Sequence, residues 1–205
     1  MNKIKPPISD KSTVRAEVKR RVSLLSEEEK NEGSKNICLQ LIGLREIQNA
    51  SRVYAYQSLS DEVCLDTLIK WALAQKKQVF VPNSAKQKGG FGGQTVGAGG
   101  KKTGGGNETI ASFCPLNAFG TFGDKSTKSD IEVTSSSSVI LAPGRAFTLS
   151  GKRIGRGGGW YDRFLKEYPN FYTIGVCFDC QIFPELPQDE WDIVVNKVIT
   201  GKTKS

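Results

Sequence analysis

Histidine does not occur anywhere in this 205-residue chain. That absence removes Ser-His-Asp and Cys-His catalysis, zinc-peptidase helices and two-histidine zinc fingers in one step. Any chemistry must therefore run on carboxylates, cations, metal ions or backbone groups. The five cysteines (Cys38, Cys64, Cys114, Cys177 and Cys180) are odd in number and scattered, which argues against a disulfide framework. Only Cys177-Phe-Asp-Cys180 has metal-like or redox-like spacing, and a zinc site needs a second pair that the chain lacks. The cysteines read as reduced, mostly buried thiols in a reducing compartment. No apolar run reaches transmembrane length, and Met1-Asn-Lys-Ile-Lys-Pro-Pro lacks the apolar block of a secretory signal. The expectation is a soluble, cytoplasmic protein with no membrane partner, a mitochondrial destination for the short basic N-terminus staying open. At this length one compact domain over residues 1–205 can bury a core without staples. The net charge of +8 points to anionic partners, and charge alone does not choose among nucleic acid, membrane and a polyanionic small molecule.

What is present alternates between helix and strand patterns. From Lys11 to Leu25, Val14, Val18, Val22 and Leu25 recur at helical spacing, with Lys11, Arg15 and Lys19 as a basic stripe along that apolar face. Such cations either reach into a cleft or lay their stems on the core and point to water. Ser26 and Glu29 form a capping-box pattern for a second helix with Ile37, Leu41 and Leu44 inward. Arg52–Tyr56 reads as a strand, Leu65–Gln75 as a helix and Gln78–Pro82 as a strand, which predicts a parallel pair with a right-handed crossover. Ser138–Ala142, Phe171–Phe178 and Ile193–Ile199 complete the strands, the middle one apolar enough to be buried on both faces. The sum is a three-layer α/β domain.

Residues 84–137 break the pattern. Gly with Lys and Gln dominates 88–106 and Ser dominates 134–138, a composition that cannot repay its ordering entropy and predicts a mobile Gly-rich insertion. Within it Phe113 to Phe122 is more apolar and is the part suited to docking on the body.

The most telling run is Gly151-Lys-Arg-Ile-Gly-Arg-Gly-Gly-Gly-Trp-Tyr-Asp162. Gly155, Gly157, Gly158 and Gly159 put no side chain in the way of a close-lying anion, so backbone N–H groups can turn toward it. Arg153 and Arg156 add guanidinium forks for phosphate oxygens, and Asp162 is left to hold a metal ion beyond them. A strand before the loop and a helix from Trp160 to Tyr168 after it, with Tyr161, Phe164 and Leu165 inward, form the usual anion site of an α/β protein. The spacing fits neither the P-loop nor the dinucleotide fingerprint. The competing reading is a solvated Gly-Arg loop of the kind found in RNA-binding tails.

Together with Pro143-Gly-Arg-Ala-Phe147, the run Gly151–Leu165 resembles the signature of the 5-formyltetrahydrofolate cyclo-ligases, also called methenyltetrahydrofolate synthetases. Lys11-Ser-Thr-Val-Arg15, Tyr56-Gln-Ser-Leu-Ser-Asp-Glu62 and Trp191–Thr200 match further regions in the family's order, so that only about 84–137 is uncovered. The resemblance implies a three-layer α/β/α sandwich like ribose-phosphate isomerases and CoA transferases. It implies conversion of 5-formyltetrahydrofolate and ATP to 5,10-methenyltetrahydrofolate, ADP and phosphate with Mg2+, in a monomer that needs no nucleic acid. Carried over by position, ATP would meet Lys11, Ser12, Thr13, Val14 and Arg15, and then Arg153, Ile154, Gly155, Arg156, Gly157, Gly158, Gly159, Trp160 and Tyr161. The folate would meet Arg15, Leu59, Glu62 and the stretch Arg156, Gly157, Gly158, Gly159 and Trp160. Arg156 and Lys11 would be the catalytic cations, and Asp162 and Asp192 the magnesium ligands. Taken alone, Glu62 also reads as a carboxylate satisfying nearby N–H groups at a helix start, and Asp192 as a loop cap.

The sequence departs from the family pattern in places. Phe119-Gly-Thr-Phe-Gly123 lacks a following Glu-Pro, Asn196 stands for a common Asp, Trp160 for a common Tyr, and Trp191 for the His of many bacterial relatives. Two other classes fit the residues: a non-catalytic binder of nucleotides or phosphometabolites, and an RNA-binding protein using its Gly-rich tract.

Overall fold

The computed structural model of the protein describes residues 10–82, 113–116 and 138–201. Helix α1, Lys11–Val22, starts where the Asp10 carboxylate accepts the backbone N–H groups of Ser12 and Thr13 at 2.8 and 3.0 Å. That cap satisfies two of the donors every helix leaves open at its start. Val14, Val18 and Val22 then recur every fourth residue and form one buried stripe. The Ser26–Glu29 capping box is present and opens α2, Glu27–Gly43. A short α3, Arg45–Asn49, leads into β1, Arg52–Tyr54, followed by α4, Asp66–Ala74, and β2, Gln78–Pro82. Next come β3, Phe113–Leu116, β4, Ser138–Pro143, and a small hairpin of β5, Ala146–Phe147, with β6, Arg153–Ile154. Helix α5, Trp160–Glu167, β7, Tyr172–Val176, a 3-10 turn at Asp179–Gln181 and β8, Lys197–Ile199, complete the order.

The main sheet runs β3-β2-β1-β4-β7-β8, parallel throughout except for β3, which lies antiparallel to β2. Because side chains alternate across a strand, each strand feeds two cores. Val53, Val79, Val139, Leu141 and Ile174 face α2 and α4. Tyr54, Phe80 and Ile140 face the opposite side, where Phe164 and Leu165 of α5 close the layer. This is the three-layer arrangement the sequence pattern predicts, with both faces of a parallel sheet covered. A third cluster packs α1 on the hairpin through Val14, Val18, Ala146 and Ile154.

Several sequence expectations are trimmed, among them the strand Phe171–Phe178, which runs from Tyr172 to Val176, and the helix Leu65–Gln75, which runs from Asp66 to Ala74. The last strand begins at Lys197 rather than at Ile193, because Val195 N–H is drawn to Gly151 O at 2.9 Å, and the chain meets β7 only from Asn196, whose N–H donates to Thr173 O at 2.9 Å. Helix α1 stops at Val22 rather than Leu25, and β1 stops at Tyr54 rather than Tyr56. Of the stretch read as an insertion, Phe113–Leu116 is ordered strand whose Phe113 ring packs edge-on to Tyr54 at 5.0 Å and Phe164 at 4.9 Å. The rest of 84–137, including Phe119–Gly123, lies outside the described residues, as does the side chain of Cys114. The four described cysteines are free, and burial raises the Cys38 thiol to about 11 and pushes the Cys177 thiol up as well, as expected of structural thiols.

One ion pair ties α3 to the far edge of the sheet and sets a pH limit. Lys197 Nζ and Tyr172 OH both donate to Glu46 Oε1, at 2.8 and 3.0 Å. The Lys197 contact is the main reason the Glu46 carboxyl falls from its ordinary 4.5 to about 2. A depressed carboxyl contributes stability above its unfolded pKa and loses it as the pH drops through the folded one. Urea unfolding is expected to show Glu46→Gln less stable than wild type above about pH 5, with the difference fading between pH 4.5 and about 2. A difference independent of pH would remove the ion pair from the stability of the fold.

Candidate active site

The strand order reverses between β1 and β4, so the chain leaves a crevice beyond the carboxyl ends of those two strands, where ligands of open α/β sheets bind. Three segments meet there: the loop after β1, the glycine loop between β6 and α5, and the start of α1. A cavity of about 440 Å³ opens between the glycine loop, α1 and the turn at 189–192. Its walls include Lys11, Arg15, Gly155, Gly157, Asp162 and Asp192, residues drawn from four places in the sequence.

The glycine loop needs glycine at two positions. Gly157 has φ 103° and Gly159 has φ 61°, both in the left-handed region where a side chain is strained. Gly159 is also the N-cap of α5 and supplies no side-chain bond to it. Gly159 therefore gives the first-turn N–H groups of α5 no capping side chain from the N-cap position, at a wall of the cavity, the standing arrangement for an anion at a helix start.

Arg15 fixes the loop from the α1 side by donating Nε–H to Gly155 O at 2.9 Å. Lys11 reaches the turn opposite, where its ammonium donates to Asp189 Oδ2 at 2.7 Å and to Asp192 Oδ2. Burial works against the Lys11 charge, and the two carboxylates outweigh it and raise its pKa. The turn itself is tied, since Asp189 N–H donates to Asp192 Oδ2 at 2.7 Å and Asp192 N–H to Asp189 O at 3.1 Å.

On the other side of the loop, Arg156 donates Nε–H to Glu62 Oε1 at 2.8 Å and pairs through Nη2 with Asp61. Arg145 pairs with the second oxygen of Asp61. Burial opposes the Arg156 charge, yet Glu62 and Asp61 raise its pKa. Asp61, itself penalised by burial, is held below the ordinary carboxyl range by Arg145 and Arg156. Glu62 also accepts the Leu59 N–H at Oε2, 3.0 Å, so its loop-satisfying role is real alongside the ion pair. Leu59 is exposed on that loop, and Trp160 joins an aromatic cluster with Phe113 and Phe164.

Not every residue of the motif faces the cavity. The Arg153 guanidinium is 3% exposed; it donates to Pro143 O at 3.0 Å and to Asp162 Oδ1 at 2.8 Å and lies over the Tyr161 ring. In this structure its fork holds the loop to β4, and Arg153 is not among the residues that line the cavity. Tyr161 buries its hydroxyl with no partner among the described residues, and burial pushes its pKa well up. Val14 packs inward, and the hydroxyls of Ser12 and Thr13 donate to Asp10. Those three act on the site by setting the start of α1. Ile154 is buried behind the loop while lining the cavity floor, and Lys19 is exposed away from it.

The two carboxylates expected to hold magnesium do share one cavity, each already beside a cation: Asp162 with Arg153, Asp192 with Lys11. Among the described residues no cluster of three or more metal-ligating side chains exists. Two carboxylates suit a magnesium ion that takes its remaining ligands from water and phosphate oxygens. The donor set therefore fits Mg2+ arriving with a polyphosphate.

Sequence reasoning missed Asp61, Arg145 and Asp189. Asp61 and Arg145 stood inside quoted motifs, and the signal available was their charge; what identifies them is the partner each finds across at least 84 residues.

A family model described as the 5-formyltetrahydrofolate cyclo-ligase family matches residues 7–201. The 5-formyltetrahydrofolate cyclo-ligase of Mus musculus is 30% identical over 198 residues, covering 93% of this chain and 93% of that one. The Escherichia coli K12 protein of the same name is 42% identical over 64 residues, 30% of this chain and 35% of the other. The solution structure of Aquifex aeolicus 5,10-methenyltetrahydrofolate synthetase superposes with a TM-score of 0.67 at 28% identity, covering 94% of this chain and 90% of that one. The corresponding synthetase from Mycoplasma pneumoniae, at 18% identity and TM-score 0.64 over 94% of this chain and 99% of its own, supports the fold.

Proposed function

Because the chain belongs to the 5-formyltetrahydrofolate cyclo-ligase family, we propose that its cavity uses ATP with Mg2+ to convert 5-formyltetrahydrofolate to 5,10-methenyltetrahydrofolate, releasing ADP and phosphate. The observation that carries this is the convergence on one cavity of the glycine loop, two cations of α1 and a pair of carboxylates.

A formamide carbonyl is a poor electrophile, and hydroxide is a poor leaving group at neutral pH. Attack of the formyl oxygen on the terminal phosphorus of ATP expels ADP and converts that oxygen into a phosphate ester. N10 then bonds to the formyl carbon, its proton is lost to solvent, and the C–O bond breaks with inorganic phosphate as leaving group. Neither step needs a strong protein base, which suits a chain without histidine. Positioning and neutralisation of phosphate charge supply most of the catalysis.

The residues divide between the cavity and the loop after β1, which Arg156 joins to the glycine loop. The loop N–H groups, Lys11 and Arg15 hold the triphosphate. Asp162 and Asp192 would hold the magnesium ion, which supplies charge neutralisation at the phosphates when bound. Arg156 stands between the nucleotide side and the Glu62 loop, where it can follow charge as it moves from ATP to the formyl oxygen. Glu62, with 9% of its side chain exposed, presents a carboxylate to the N–H donors of the pterin ring, and Leu59 and Trp160 supply apolar walls.

Glu62→Gln tests the folate side. The amide keeps an acceptor for the Leu59 N–H and loses the charge that a donor-rich pterin and Arg156 both meet. The KM for 5-formyltetrahydrofolate is expected to rise about tenfold, with the KM for ATP changed far less, in steady-state assays varying each substrate. An unchanged folate KM would make Glu62 a loop residue only.

A further inference from the structure

Of the three tryptophans, Trp71 and Trp160 are packed against other side chains, whereas Trp191 is 64% exposed. Among the described residues it is the single aromatic one lining the cavity, and its ring stacks on no other ring there. Its backbone is not free to wander. The turn Asp189–Asp192 is closed by the two hydrogen bonds between its ends, and both ends are held by Lys11. An indole is thus presented on a rigid mount, one residue from Asp192 and beside the ammonium placed for phosphate. A large exposed aromatic gains nothing for the fold, and a π-face at the rim of a polyphosphate cavity is what a flat heteroaromatic base stacks on. The pterin walls, Leu59 and Glu62, belong to the loop after β1, which Arg156 holds, whereas Trp191 shares its turn with the residues that hold Lys11.

We infer that Trp191 is the base platform of the nucleotide subsite: with the ATP-dependent reaction proposed above as its premise, the purine ring stacks on the indole while its phosphates run inward to the glycine loop. The preference for a nucleoside triphosphate over bare polyphosphate then resides in this one side chain.

Titration calorimetry of wild type, Trp191→Ala and Trp191→Phe with Mg-ATP and with Mg-tripolyphosphate separates base from phosphate, and steady-state KM values for ATP and 5-formyltetrahydrofolate accompany it. Trp191→Ala is expected to weaken ATP about tenfold, to leave tripolyphosphate affinity and the folate KM within about twofold, and Trp191→Phe to restore most of the loss. Equal ATP affinity in Trp191→Ala overturns the assignment, as does an equal loss for ATP and tripolyphosphate, or a loss confined to the folate. Wild-type protein that binds neither ATP nor tripolyphosphate overturns the functional reading itself, and the base platform with it.

Discussion

Arg156→Ala is expected to lower kcat by about a thousandfold or more while leaving the unfolding transition nearly where it is. The guanidinium stands on the exposed glycine loop, and its ion pairs with Glu62 and Asp61 are only partly buried. Partly exposed pairs contribute on the order of 0–1 kcal/mol to stability, and Asp61 keeps Arg145 as a partner. In the reaction the same cation meets charge spread over a transferring phosphoryl group, a setting in which one arginine contributes roughly 10³–10⁵ in rate. Arg156→Lys is expected to recover only a fraction, because an ammonium is a point charge and cannot reproduce a planar fork. Stopped assays with saturating ATP and folate, beside a urea melt of the same preparation, check both halves. Turnover within about threefold of wild type would take Arg156 out of the chemistry.

Asp162→Ala is expected to differ in kind, losing activity and stability together. Its carboxylate is the ionic partner of the Arg153 guanidinium, which is 3% exposed and whose Nε already has no partner among the described residues. Stranding a buried charge costs about 3–5 kcal/mol, which for a domain of this size lowers Tm by on the order of 10 °C. The double variant Arg153→Met with Asp162→Ala removes the stranded charge, so much of the stability is expected to return. Turnover is expected to stay low, because the carboxylate assigned to magnesium is still missing. A single Asp162→Ala that melts like wild type would show that the Arg153 pair does not secure the loop.

The contrast between Arg153 and Arg156 marks the boundary of what the sequence discloses. Both sit in the same Gly-Arg run, and by composition either could face a phosphate. Their fates diverge because Arg153 falls on β6, where the hairpin brings it beneath Pro143 O, whereas Arg156 falls where the chain has left the strand. Periodicity could identify α1, α2 and α4, since the valine stripe of α1 and the Ser26–Glu29 box are local features. The alternation of Val53 and Tyr54 between two cores likewise follows from the strand itself. Pairings such as Lys11 with Asp189, or Arg145 with Asp61, depend on the order of strands in the sheet and have no local signature. Strand β3 is hard to read for another reason: its four residues lie in a stretch whose glycine content argues against order, and pairing with β2, burial of Leu116 and docking of Phe113 on Tyr54 and Phe164 together compensate for the entropy of fixing them.

The most direct measurement is a spectrophotometric assay of the purified protein with 5-formyltetrahydrofolate, ATP and Mg2+, following the methenyl chromophore. If the cavity works as described, the chromophore forms only when all three are present, and one ADP appears for each methenyl group formed. Formation without ATP, or none in the complete mixture, would contradict it.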